Sequence, residues 1–254
     1  MRRSSAVSVS LGISFALFGT LAGALMLVGT IRAEDEKSEA SADSATKTAP
    51  RLVKLSKEHS IWVDATRKLV VVDGEIAMRE GALEMFACPK GTKEHESVIA
   101  VHCNGQLIHA GLLAVGAKAD HPVRFNPEYV AASGSIIDIL ILWEDEKGRH
   151  KVRAQDWVMD AETKQPMKHD WVFGGSGFWT DETTGKKYYH ADAGDLICVS
   201  NFSTAMLDLP IESSQANDGL LYSAFTERIP PRGTKVRMVL TPRKAKVDPD
   251  EKKS

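Results

Sequence analysis

Between residues 60 and 241 the chain is a succession of short apolar runs, rich in Val, Ile and Trp and punctuated by Gly, Pro, Asn and Asp. Most are too brief for a helix. β-branched and aromatic side chains fit a pleated surface and crowd a helical turn, so these runs read as strands. Residues 60–64 and 68–78 flank a turn at Ala65-Thr66, and the continuous Val70-Val71-Val72 suits burial on both faces. Residues 83–88 end at Pro89-Lys90-Gly91, and 96–102 follow as the next strand. Segments 135–143 and 151–159 form a hairpin with a charged loop at 144–149, and 171–179 pairs with Tyr188-Tyr189 across the 181–185 turn. Residues 195–200 and 234–241 complete the set. One helix is clear: Asn104 can cap it, 106–115 carries Ile108, Leu112 and Val115 on one face, and Gly116 stops it. The expectation is an α+β domain, strand-rich, with a mixed or antiparallel sheet and one or two helices.

The N-terminus has a different character. No charged side chain occurs from residue 6 to 31, Arg2 and Arg3 precede this run, and Ala33 offers a small residue for cleavage behind Ile31-Arg32. The run exceeds an ordinary signal core and approaches the length that spans a bilayer, so residues 1–33 read as a signal peptide or an uncleaved membrane anchor helix. Either one places the rest of the chain outside the cytoplasm, secreted, periplasmic or tethered to the membrane. Residues 34–50 contain no large apolar side chain and read as a flexible spacer; 51–243 is the folding unit, and 244–254 a polar, disordered tail.

Charge excludes one class of partner. With 32 basic and 34 acidic side chains the net is −2, and neither sign clusters within the domain, so nucleic acid is not expected. Cys88, Cys103 and Cys198 are too few for a disulfide scaffold. Cys88 and Cys103 are a possible pair; three buried thiols are the simpler state.

Familiar catalytic signatures break on inspection. His95-Glu96 is followed by Ile99 where a zinc-protease helix needs its second His, and Gly174-Gly175-Ser176-Gly177-Phe178 has Phe where a nucleophile elbow needs Gly. Two polar groups remain. Cys88, His95, Glu96, His102, Cys103 and His109 fall within one strand-loop-strand-helix unit and are of the types that ligate a transition metal or build a thiolate–base pair. The candidate catalytic residues are His95, Glu96 and Cys88, and the candidate metal ligands His95, Glu96 and His109. His169, Asp170, Ser176, His190 and Asp192 are interleaved with Trp171, Phe173, Trp179, Tyr188 and Tyr189, a composition that can line a ligand cleft. Here His109, Trp171, Ser176 and His190 are the candidate ligand contacts.

The order Lys93-Glu94-His95-Glu96-Ser97-Val98, then Ile108-His109-Ala110-Gly111-Leu112-Leu113 with Gly116, then Trp171-Val172-Phe173-Gly174-Gly175-Ser176, then Pro230-Pro231-Arg232-Gly233-Thr234-Lys235-Val236 ending at Pro242, resembles the bacterial YdjY domain. The resemblance implies an exported protein of a kind common among planctomycetes. It carries no assigned biochemical role. Some relatives join the domain to a ferredoxin module, but three scattered cysteines cannot supply a cluster's four thiolates, so no iron–sulfur cofactor is expected. The leading expectation is an extracytoplasmic domain that binds a small ligand or an envelope partner, touching the membrane through residues 1–33 if these are retained. The alternative is a metal-dependent or thiol-based enzyme built on Cys88, His95, Glu96 and His109.

Overall fold

The computed structural model describes residues 52–214 and 219–244. The segments read as leader, spacer and tail lie outside these residues, apart from Lys244. Eight strands form the body: β1 (Leu69–Ile76), β2 (Met85–Pro89), β3 (Ser97–Val101), β4 (Ile136–Asp145), β5 (Trp171–Phe173), β6 (Ile197–Cys198), β7 (Leu207–Asp208) and β8 (Lys235–Pro242). They pair in the order β1-β8-β4-β5-β7-β6-β2-β3, and β3 pairs back onto β1, so the sheet closes into a barrel. Neighbours β2/β3 and β6/β7 are parallel, and the remaining pairs are antiparallel.

Closure depends on β1 changing partner midway. Its first half, Leu69 to Val72, pairs with the Ile61–Asp64 strand, and Gly74 to Ile76 pair with β3 along the same edge. At the changeover Asp73 N–H donates to Ser60 O at 3.0 Å, and His102 N–H donates to Asp73 O at 2.9 Å. No backbone group at that seam is left facing a gap.

Alternation sets the two faces. Val70 and Val72, Ile139 and Ile141, and Val236, Met238 and Leu240 are buried in one core with Trp157, Trp171, Phe86 and Phe173. Between them Asp73 and Glu75 meet Arg237 and Lys235 on the outside. The helix α1 (Gly105–Ala114) begins as expected: Asn104 Oδ1 accepts from Leu107 N–H at 2.9 Å, and Gly116 beyond its end has φ +90°. It buries Ile108, Gly111 and Leu112. A Cβ on Gly111 would stand 3.2 Å from Val70 Cγ1, so the missing side chain is what lets the helix lie close on β1.

Three expectations change. The strand-rich reading with one helix holds among the described residues, but the structure is mostly β rather than α+β, and its sheet is closed, which was not foreseen. The 151–159 segment is two strands, Gly148–Arg153 and Val158–Asp160, separated by a 3₁₀ turn at Ala154–Trp157 that drives Trp157 into the core. Residues 171–179 likewise divide: β5 belongs to the barrel, and Phe178–Thr180 pairs with Lys187–Tyr189 as a separate hairpin. Gly175 at φ +91° and Ser176 at φ +53° make the bend between them.

Candidate functional site

The parallel pairing of β2 and β3 sets the first site. Met85 opposes Ser97, which brings the preceding residues Glu84 and Glu96 side by side. Burial pushes the Glu84 carboxyl up, and the neighbouring Glu96 charge pushes it the same way. Lys93 enters this pair from the connecting 3₁₀ turn: its Nζ is 3.6 Å from Glu96 Oε1 and 3.0 Å from Asp195 Oδ1, and lies 4.5 Å from the Phe202 ring centre. Burial pulls its pKa down, but Asp195, Glu96 and Glu84 outweigh that and raise it, so Lys93 stays an ammonium rather than an amine nucleophile. Gly194 makes the room. A Cβ there would lie 2.5 Å from Lys93 Cγ. Beneath this layer Thr204 Oγ1 donates to Asp195, and the fully buried Asp208 accepts from Asn201 Nδ2 at 3.1 Å and Leu209 N–H at 2.8 Å.

His95 takes no part in this arrangement. Its side chain is 77% exposed, and its Nε2 stands 3.8 Å from Glu96 Oε2. Cys88 is fully buried, and burial raises its thiol against the weaker opposing pull of Ser97 and Thr92. Cys103 is pushed up to about 12 by burial and by the Asp192 charge, and Cys198 rises for the same kind of reason. None of the three is in a disulfide. A thiol held protonated inside a core is a poor nucleophile. Native protein at pH 8 should therefore leave all three cysteines unlabelled by a maleimide over minutes, with three labels added in denaturant; rapid native labelling would contradict the burial.

The structure joins His109 to the aromatic group instead. Its Nδ1 is 2.8 Å from Tyr189 Oη, which donates to Gly175 O at 3.0 Å. The phenol has one proton and the buried carbonyl can only accept, so the imidazole supplies Nδ1–H and keeps the lone pair on Nε2. Burial lowers the His109 pKa, and Gly175 only partly opposes this, leaving the ring neutral at pH 7. Phe173 packs against it edge-on at 4.8 Å. Ser176 Oγ donates to Thr204 O at 2.6 Å, and His190 N–H to Gly177 O at 2.9 Å, both fastening the bend. Asp192 caps α1 from outside, accepting from Gly105 N–H at 2.6 Å. Trp171 is a core residue whose Nε1 donates to Cys198 O at 2.7 Å, and Asp170 is paired with Arg243.

The first sequence cluster thus divides: Glu96 joins the Lys93 layer, His109 pairs with Tyr189, Cys88 and Cys103 enter the core, His95 is exposed, and His102 lies 3.5 Å from Glu75 beside the outer groove. Among the described residues no three His, Cys, Asp or Glu side chains are placed to hold a metal ion. Glu84, Lys93 and Asp195 were not singled out from the sequence; the signal for Glu84 is the strand register, which no single run displays.

A groove of about 830 Å³ runs outside the barrel across β1, β8, β4 and the Gly148–Arg153 strand. Ion pairs line it. Asp73 holds Arg237 through two hydrogen bonds of 2.6 and 3.0 Å. Glu75 beside it is held down to about 2 by hydrogen bonds from Lys235 and Lys90. Trp143 stacks on His150 at 4.7 Å, and His150 Nε2 lies 2.7 Å from Asp145 Oδ1. Lys151 lines the groove with no ion-pair partner among the described residues.

A family model for the YdjY domain matches residues 61–241. The chain belongs to the YdjY domain family. The YdjY match begins at the strand before β1 and ends inside β8, so it takes in the barrel short of Pro242, α1, the Lys93 layer and the groove short of Ser60. No curated protein and no solved structure matches the chain.

Proposed function

We propose that this YdjY domain is an extracytoplasmic binding module that holds a small polar ligand with an anionic group in the groove beside β8. The observation that carries the reading is the groove's unequal pairing: Arg149, Lys151, Lys235 and Arg237 line it against Asp73 and Glu144, with Glu75 alongside. Arg237 and Lys235 are spoken for by carboxylates of β1, whereas Lys151 has no ion-pair partner among the described residues and Arg149 is 3.5 Å from an exposed Glu144. An incoming carboxylate or phosphate would meet these two on the outer face of the Gly148–Arg153 strand. The export reading rests on the uncharged run at residues 6–31. Support for a thiol or metal enzyme on Cys88, His95, Glu96 and His109 is weaker, because the thiols are held protonated and the imidazoles have separate surroundings.

The test is native mass spectrometry of protein purified from its own envelope, beside the double variant Arg149→Glu, Lys151→Glu. A small anionic species should accompany wild type, be released on denaturation, and be absent from the variant. Both substitutions are at exposed positions, so the melting temperature should hold within about 0.5 kcal/mol of equivalent stability. Equal small-molecule content in the two proteins would remove the groove from consideration.

A further inference from the structure

The α1 helix has no charged residue, yet only one side of it is buried. Gln106, Ala110, Leu113 and Ala114 face outward, and Leu113 is 49% exposed. A helix bordering water carries polar and charged groups on that side; this one is apolar nearly all round. Its two flanks extend the apolar surface. On one, Leu55 reaches to within 3.4 Å of where a Cβ on Gly111 would be, and Leu52, Val53 and Leu55 are all exposed. On the other, His109 contacts Tyr189, and Tyr189 contacts Phe178 at 5.1 Å. Beyond it lies the hairpin with Phe178 56%, Trp179 45% and Tyr188 36% exposed, the last two stacked at 4.9 Å. Residues 109 and 111 are about 200° apart around a helix, with 110 between them, so the two flanks bracket the exposed apolar stripe.

The chain enters the domain here, at Leu52 to Leu55. The spacer at 34–50 spans at most about 60 Å fully extended, so a domain tethered by residues 6–31 stays within reach of the bilayer. We propose that the α1 stripe and the Phe178–Tyr188 edge of the hairpin seat in the headgroup–acyl boundary of the bilayer entered by the chain's own N-terminal segment. Trp and Tyr favour that boundary because each has an apolar ring and a polar atom. Lys186 and Lys187 balance Asp181 and Glu182 around the hairpin, so docking needs no anionic lipid. This proposal rests on the export reading with the anchor retained.

The experiment reconstitutes the full chain into phosphatidylcholine vesicles with and without bromine on the upper acyl chain, and reads tryptophan emission. Of the five tryptophans only Trp179 is strongly exposed. Brominated lipid should quench wild type, the quenched component should disappear in Trp179→Phe, and Leu113→Glu should weaken quenching without changing the circular dichroism. Protein that floats with vesicles but is not quenched overturns the docking and leaves the anchor standing. Protein that does not float overturns both. A doubled sedimenting mass with quenching absent assigns the face to a second copy and also overturns the proposal.

Discussion

Gly74→Ala is expected to destabilise the domain by about 2–3 kcal/mol, a fall of roughly 5–10 °C in melting temperature for a domain of this size. The position is where β1 leaves the Ile61–Asp64 strand and takes up β3. A Cβ at Gly74 would lie 2.6 Å from Ala100 O and 3.2 Å from Val101 Cα, both backbone atoms that no rotamer change can move. Alanine in a strand gains up to about 1 kcal/mol over glycine from lower chain entropy in the unfolded state. The clash outweighs it, because β3 must retreat from three consecutive residue pairs, Gly74–Val101, Glu75–Ala100 and Ile76–Ile99. Thermal unfolding by circular dichroism reads the effect. An unchanged melting temperature would mean that β1 and β3 do not close the barrel here.

The second large effect is a pH dependence centred on Asp208. Its carboxyl is fully buried in β7, and burial pushes it up to about 7 even though Asn201 Nδ2 and the N–H groups of Leu209 and Phe202 pull it down. In the unfolded chain it titrates near 3.8. Between these values the folded state binds a proton that the unfolded state has released, so stability falls as pH rises from about 4 to about 7 and levels off above that. The shift of about three units is worth on the order of 4 kcal/mol. Asp208→Asn resembles the protonated acid in shape. The variant should match wild type within about 1 kcal/mol at pH 4 and exceed it by several at pH 8. Glu75, held down to about 2, loses its contribution only as pH falls below about 4.5, and the lowered His109 acts below about 6.5 in both proteins alike. Urea midpoints at the two pH values are the measurement, and parallel curves would show that Asp208 is ionised throughout.

Local pattern made much of the fold legible. Val70-Val71-Val72 marked β1 and its burial, Asn104 and Gly116 bounded α1, and the 181–185 turn paired Phe178–Thr180 with Lys187–Tyr189. What escaped was non-local. A closed sheet requires β3 to find β1 and β7 to find β6, and neither pairing leaves a mark in any one run of residues. The 3₁₀ turn at Ala154–Trp157 escaped because the apolar residues on either side of it, Val152 and Val158-Met159, read as one continuous strand. The same limit governed the sites. His109 was singled out with His95, but the helix gives it to Tyr189 while the 3₁₀ turn points His95 at solvent. Lys93 was given no role of its own in the sequence; strand register puts Glu84 and Glu96 beside it.

The barrel leaves little for another chain to extend. Among the described residues its outer margins are the two-residue strand Val53–Lys54 and the Gly148–Arg153 strand, which pairs only with β4. The latter carries Arg149, His150, Lys151 and Arg153, so two copies brought edge to edge would align like charges along their whole length. That repulsion works against the strand-to-strand polymerisation to which an open sheet of this size would be liable.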